Sequence, residues 1–276
     1  MVKFLQLYSA FLKQQIKALI EYRLDFAMGM IGLAIFQIGS FLVIFSVFTQ
    51  IKSIGGYTFN EILLFYGYSQ ILRGIDHIYN DNLWSIAFGA IKDGKFSQYL
   101  LRPINPILHI IMEKIQFDGF GELLIGIIMF IYAKSALKLN LGIEGSIILL
   151  VFSIAGLMIY FATKLICAAI SFWTMTSGEF MVITYEVNSF TKYPLDIYKN
   201  RMLKFLLTYI LPFAMVSYLP LVYFIREKKY IGNVLGVHYT WQYYPVVFVV
   251  CIAISFLSIS LFVWNRGLKR YQPPGN

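Results

Sequence analysis

Four stretches of this chain carry no charged residue over about the length a helix needs to cross a bilayer. They span 26–48, 145–163, 205–225 and 245–264. A helix crossing the hydrocarbon core needs roughly 20 apolar residues. Hydrophobic residues make up 59% of the chain and charged ones 13%, about half the charged share of a soluble domain. That excludes a disordered chain, a coiled coil and an ordinary soluble enzyme, because too few residues remain to cover so large an apolar core. The solvent this composition requires is lipid.

Two weaker stretches join the four. Residues 62–72 are apolar but open into Arg73 and Asp76, and 123–133 follow Asp118 and Glu122. A further apolar stretch, 165–173, follows Lys164 and then meets Glu179 and Glu186. No soluble domain, linker or repeat separates these segments, so residues 1–276 read as a single membrane domain. Residues 1–23 form a distinct element. Phe4, Tyr8, Phe11, Leu12, Ile16 and Leu19 recur at helical spacing, opposite Lys3, Gln6, Lys13, Lys17 and Glu21. This is expected to be an amphipathic helix in the headgroup region rather than a cleavable signal peptide.

The net charge is +9, but its basic residues are too scattered for a face that tracks phosphates, so no nucleic-acid partner is expected. They orient the chain instead. Lys3, Lys13, Lys17 and Arg23 precede the first span, and Arg266, Lys269 and Arg270 follow the last. Basic residues favour the cytoplasm, so both termini are expected there and the number of crossings is even. The 81–114 connection, with Lys92, Lys95, Arg102 and Lys114, is expected on the same side.

The second half admits two routes. In one, 205–225 is the fifth span and Lys192, Lys199, Arg201 and Lys204 stay inside. In the other, 174–193 is a short polar span and 195–225 dips into the outer leaflet as a proline-broken hairpin. The second route puts basic residues outside. It also places Glu179 and Glu186 in a span, at roughly 2.5–3.5 kcal/mol for each central acid. Charge counting favours the first route.

Soluble-type chemistry is not nominated anywhere. Residues 89–95 match the opening of a phosphate-binding loop, but Phe96 stands where Ser or Thr must ligate magnesium, and no strand precedes it. His77, His109 and His238 lack metal-ligand spacing, and Cys167 and Cys251 are expected to be buried free thiols. No cofactor is expected on this chain. The informative stretch is 86–106, IAFGAIKDGKFSQYLLRPINP. It is cytoplasmic by charge yet mixes Phe96, Tyr99, Leu100 and Leu101 with Lys92, Asp93, Lys95 and Arg102. It reads equally well as a docking surface or as an interfacial helix resting on lipid. Gly94 suits a tight turn, and Arg102-Pro103 followed by Pro106 ends one element before the next.

DGKFSQYLLRPINP resembles the signature of permease subunits of ATP-binding-cassette exporters of the type-two exporter superfamily, a group often described as drug or viologen exporters. KYPLDIYKNRMLKFLLTYILPFAMVSYLP at 192–220 and WNRGLKRY at 264–271 are similar to two further motifs of that family, and EYRLDF at 21–26 fits its entry into the first span. The tail QPPGN and Lys199 depart from the pattern. The resemblance implies an all-α polytopic membrane protein of six transmembrane helices in the cell (inner) membrane. It adds an N-terminal interfacial helix, a cytoplasmic coupling helix between spans two and three (81–106), and a re-entrant outer hairpin before span six (194–225). Tyr193, Pro194, Leu195, Ile197, Tyr198, Pro212 and Pro220 carry the hairpin motif, which favours the second route. A separate cytoplasmic ATPase holding ATP and magnesium and a second permease chain are the implied partners. Lys92, Asp93, Gly94, Lys95, Phe96, Tyr99, Leu100 and Arg102 are the implied coupling residues. Phe96, Tyr99 and Leu100 are expected as anchors in the ATPase groove.

Gln37, Tyr66, Tyr68, Gln70, Thr174, Thr176 and Tyr185 are candidates for a substrate path suited to an amphiphilic or aromatic cargo. Polar contacts between helices explain each of them equally well. Glu179 and Glu186 are expected to pair with Lys164 rather than attract a cationic cargo. A secondary transporter or channel would need an inverted repeat, and an intramembrane enzyme a converging polar site; neither is visible.

Overall fold

The computed structural model describes residues 2–226 and 241–273, so His238, Lys228 and Lys229 lie outside the described residues. The described chain is helical, and its only extended pairing is a single Ile54–Tyr57 bridge. The long elements are α1 (Val2–Glu21), α2 (Arg23–Gln50), α3 (Phe59–Asn80), α4 (Pro106–Glu113), α5 (Gly119–Ala136), α6 (Gly142–Thr174), α7 (Gly178–Ser189), α8 (Tyr218–Ile225) and α9 (Tyr244–Leu268). Among the described residues four helices, at 26–50, 119–136, 142–174 and 244–268, are long and apolar enough to cross a membrane. Each leaves large apolar side chains exposed, such as Ile35, Ile128, Leu150 and Phe262. The chain is a multi-pass membrane protein, and these faces meet lipid rather than water.

α3 is long enough to cross but carries Glu61, Arg73 and Asp76. It tolerates them because it sits inside the bundle: every residue from Glu61 to Gln70 is buried. Thr58 caps it, accepting from the Glu61 amide while the Glu61 carboxylate accepts from the Thr58 amide at 2.8 Å. Four glycines seat it against α5. A Cβ on Gly67 would lie 2.6 Å from the Phe130 amide nitrogen, and one on Gly74 2.6 Å from that of Leu123. A Cβ on Gly126 would lie 2.7 Å from the Ile71 nitrogen, and one on Gly119 2.8 Å from the Ile78 side chain. The two backbones therefore touch, and no other residue fits at these positions.

Loop contacts sort into two ends. At one end the 51–58 connection meets 196–198: Tyr57 donates to Asp196 at 3.0 Å, and Ile197 packs on Gly55. Arg226 returns to the same place, 2.9 Å from the Glu61 carboxylate, donating to the Gly56 carbonyl at 3.1 Å. Residues 193–226 thus leave from and come back to one end. Their turn reaches the middle of α6, where Phe213 lies 6.0 Å from Tyr160 ring to ring. At the opposite end the 81–118 connection meets the C-terminal ends of α6 and α9. Of the two cysteines expected to be buried, Cys167 is, but Cys251 is exposed on the outward face of α9. An apolar span buries only the face it turns to its neighbours.

Candidate functional site

Two features are candidates: the 81–106 region and a buried ionic network above it. The first is built as a chain of short helical turns, with no strand anywhere near the segment that mimics a phosphate loop. Gly94 adopts φ +74°, the left-handed conformation the expected tight turn requires. The Phe96 amide closes the turn by donating to Ala90 at 2.9 Å.

Phe96 points inward. It is fully buried, with ring centroids 5.0 Å from Phe172, 6.0 Å from Trp264 and 4.9 Å from Tyr271. Tyr99 is also buried, 4.9 Å from His109, and donates to Glu113. The outward-anchor role expected for Phe96 and Tyr99 is therefore corrected: both fasten the loop to its own chain. The reason is that the ends of α6 and α9 supply an aromatic socket that local spacing does not reveal. Ser97 and Tyr271 add a hydroxyl contact at 2.9 Å, and Gly267 lets Phe172 approach α9. The DGKFSQYLLRPINP and WNRGLKRY motifs thus pack on one another.

The outer side carries the exposed groups: Lys92, Asp93, Lys95, Leu100, Leu101 and Arg102. Leu101 is 84% exposed, the most exposed apolar residue of the loop. Arg102 lies 2.8 Å from Nε2 of His109. Burial, followed by the Arg102 guanidinium, holds the imidazole below its usual pKa, so a neutral Nε2 accepts from the guanidinium. Burial, with the Glu113 carboxylate adding, pushes the Tyr99 phenol up. From α1, the Gln15 side chain accepts from the Ile115 amide at 2.7 Å and donates to the Glu113 carbonyl at 2.9 Å. The N-terminal helix is clamped to the same region.

The network lies at the ends of α3, α5 and α6 nearer this loop. Lys164, fully buried, sits 2.8 Å from Asp76 and 2.7 Å from Asp81. Tyr185 donates to Asp76 at 2.8 Å and lies against the ammonium. Beside it, the Glu122 carboxylate lies 3.7 Å from Arg73 and 3.6 Å from His77. The expected pairing of Lys164 with Glu179 or Glu186 is corrected. Both acids are exposed on α7, and the aspartates of α3 reach the ammonium first. Desolvated charges survive in lipid only when paired this closely. Asp76, Asp81, Glu122 and Arg73 were not singled out from sequence. Their signal was charge within helical reach on an otherwise apolar span.

The path candidates do not converge. Tyr66 donates to Gln37 at 2.7 Å, joining α3 to α2. Tyr68 faces the other way, 3.0 Å from Ser153 of α6. Tyr185 belongs to the ionic network. Thr174 and Thr176 are exposed at the turn beyond α6, bonded to one another at 2.8 Å. Gln70 is buried with no hydrogen-bond partner on either amide atom among the described residues. Of the hairpin motif, Pro194, Leu195, Pro212 and Pro220 are buried and Tyr193, Ile197 and Tyr198 half-buried. Asp196, within that motif, also accepts from Tyr218, tying the two limbs of 193–226 together.

Compared with known proteins, residues 34–275 match the family described as ABC-2 family transporter protein. No curated protein matches the chain, and no solved structure does.

Proposed function

Since the chain belongs to the ABC-2 family of transporter proteins, we propose that it is the permease subunit of an ATP-driven exporter, with 81–106 as its coupling element. The observation that carries this reading is the two-sidedness of the loop. Its inner side is bolted through Phe96 to the ends of α6 and α9, while its outer side offers Lys92, Lys95, Leu100, Leu101 and Arg102. A push on the outer side is carried straight into two long helices. A separate cytoplasmic ATPase would supply that push on binding ATP and magnesium. Tilting α6 and α9 would then open a path between two permease chains. Leu100 and Leu101 replace Phe96 and Tyr99 as the contacts with the ATPase, and the flanking charges set register.

Six crossings fit the alternation of contacts between the two ends: α2, α3, α5, α6, α7 with the turns that follow it, and α9. The return of 193–226 to its starting end supports a re-entrant hairpin. The basic residues at both termini favour the cytoplasm for the end that holds the coupling loop.

A photo-crosslinking residue placed at Leu101 in the tagged full chain tests the coupling role. The expected product is a cross-link to a chain with a phosphate-binding loop and ATPase activity, absent when the probe sits at the exposed Tyr132 of α5. Equal cross-linking from both positions, or none from Leu101, refutes the assignment.

A further inference from the structure

Lys192 ends the helical turn after α7, and its side chain is half-buried. Its ammonium lies 5.9 Å from the Phe36 ring and 5.7 Å from the Tyr66 ring. Among the described residues no carboxylate lies within ion-pair distance of it; Arg73, Glu122 and Glu186 act on it from farther away. Every other buried cation of the network has a close acid. Lys192 has only two aromatic faces.

Tyr66, Gln70, Arg73 and His77 follow at spacings of four, three and four, which places them on one stripe of α3. Tyr66 is the member of that stripe beneath Lys192. Gln70, one turn on, has its whole amide unpaired among the described residues. Arg73 is 31% exposed, and its one ion-pair contact among the described residues is to Glu122 at 3.7 Å. Glu122 serves Arg73 and His77, His77 also lies 3.5 Å from Asp81, and Lys164 takes Asp76 and Asp81, so among the described residues Lys192 is the cation of this region left without a close acid. Next to Lys192 an apolar groove of about 390 Å³ runs between α2, α3 and residues 189–198. Val43, Phe48, Ile62, Phe190 and Tyr193 line it. Phe190 and Tyr193 flank Lys192 in sequence and Ile62 lies one turn before Tyr66 on α3, so the groove neighbours the cationic end. The volume falls at the small end of ligand sites, roughly 300–1,000 Å³.

We propose that the cleft between α2, α3 and α7 binds an amphiphile with an anionic head group. The head lies at Lys192 and Arg73, and the apolar body fills the groove. The proposal rests on the transporter reading and names the sign of the charge on the amphiphile this cleft takes. A cationic amphiphile meets the same groove but finds the unpaired Lys192 ammonium at its end.

The test uses the purified full chain in phosphatidylcholine nanodiscs, without any ATPase. Binding of dansyl-undecanoate is followed by dansyl fluorescence. It is compared with its methyl ester and with the same tail on a trimethylammonium head. The carboxylate is expected to bind tightest to the unaltered chain. Lys192→Met is expected to weaken it about tenfold or more, while Lys192→Arg stays within about threefold and the ester is unmoved. Equal binding of carboxylate and ester, tighter binding of the cation, or an unchanged affinity in K192M each overturns the site. The head-group comparison needs no variant, so misfolding cannot hide the answer. Phosphatidylglycerol added to the discs separates the sources. Displacement of the probe assigns the site to a lipid head group, and persistence assigns it to another anionic amphiphile; both uphold it. Failure here leaves the cross-link from Leu101 unaffected, so the two readings fail separately.

Discussion

Replacing Phe96 with alanine removes a fully buried ring held by Phe172, Trp264 and Tyr271. Large-to-small substitutions of this kind cost about 3–5 kcal/mol, because the socket collapses only in part. The cost falls on the loop, since α6 and α9 keep their own contact through Phe172 and Trp264, 5.2 Å apart. At about 1.4 kcal/mol for each factor of ten, local opening of the loop should rise by roughly a hundredfold or more. Leu101→Ala makes the contrast: that side chain is 84% exposed, so its loss should change stability within about 0.5 kcal/mol. Hydrogen exchange on the purified chain reads both. F96A should lose protection at the amides of Gly94, Phe96 and Tyr99, which donate within the turn, while α6 stays protected. In the assembled transporter the two variants should converge, F96A by loosening the lever and L101A by removing its grip. Unchanged exchange in F96A, or equal exchange loss in L101A, would refute the division of the loop into an inner bolt and an outer grip. Phe96→Leu should restore most of the protection.

Lys164→Met strands Asp76 and Asp81, buried or half-buried beside the vacated ammonium, and should lower stability by about 3–5 kcal/mol; adding Asp76→Asn should recover part of it. A melting-temperature cycle in detergent checks this, and additive losses would show that the pair is not coupled. Gly126→Ala drives a Cβ to 2.7 Å from the Ile71 backbone and should cost about 1–3 kcal/mol, whereas Gly32→Ala meets nothing within 4 Å and should be neutral or slightly stabilising. A Lys199→Cys variant, exposed at the end that holds the 51–58 turn, should react with an impermeant thiol reagent in intact cells. Protection in cells with reaction after lysis would reverse the hairpin's side.

The class of this protein was legible without coordinates, because freedom from charge over 20 residues is a local property and lipid reads it locally. The helices at 26–50 and 244–268, and Gly94 at a turn, follow from composition and steric rules acting within a few residues. The motifs that mark the family were also local strings. What they do for one another was not. Charge counting is silent on contacts: Asp196 with Tyr218 joins the limbs of 193–226, and Arg226 returns to Glu61. Only tertiary structure decided that Phe96 turns inward while Leu101 turns outward, since an amphipathic loop does not state which side its own chain covers. It also decided that Lys164 takes Asp81, 83 residues away, over the nearer glutamates of α7. In a low-dielectric interior an ion pair is settled by separations of an ångström or two. Those separations come from how helices pack, here from α6 lying against the end of α3, and not from distance along the chain.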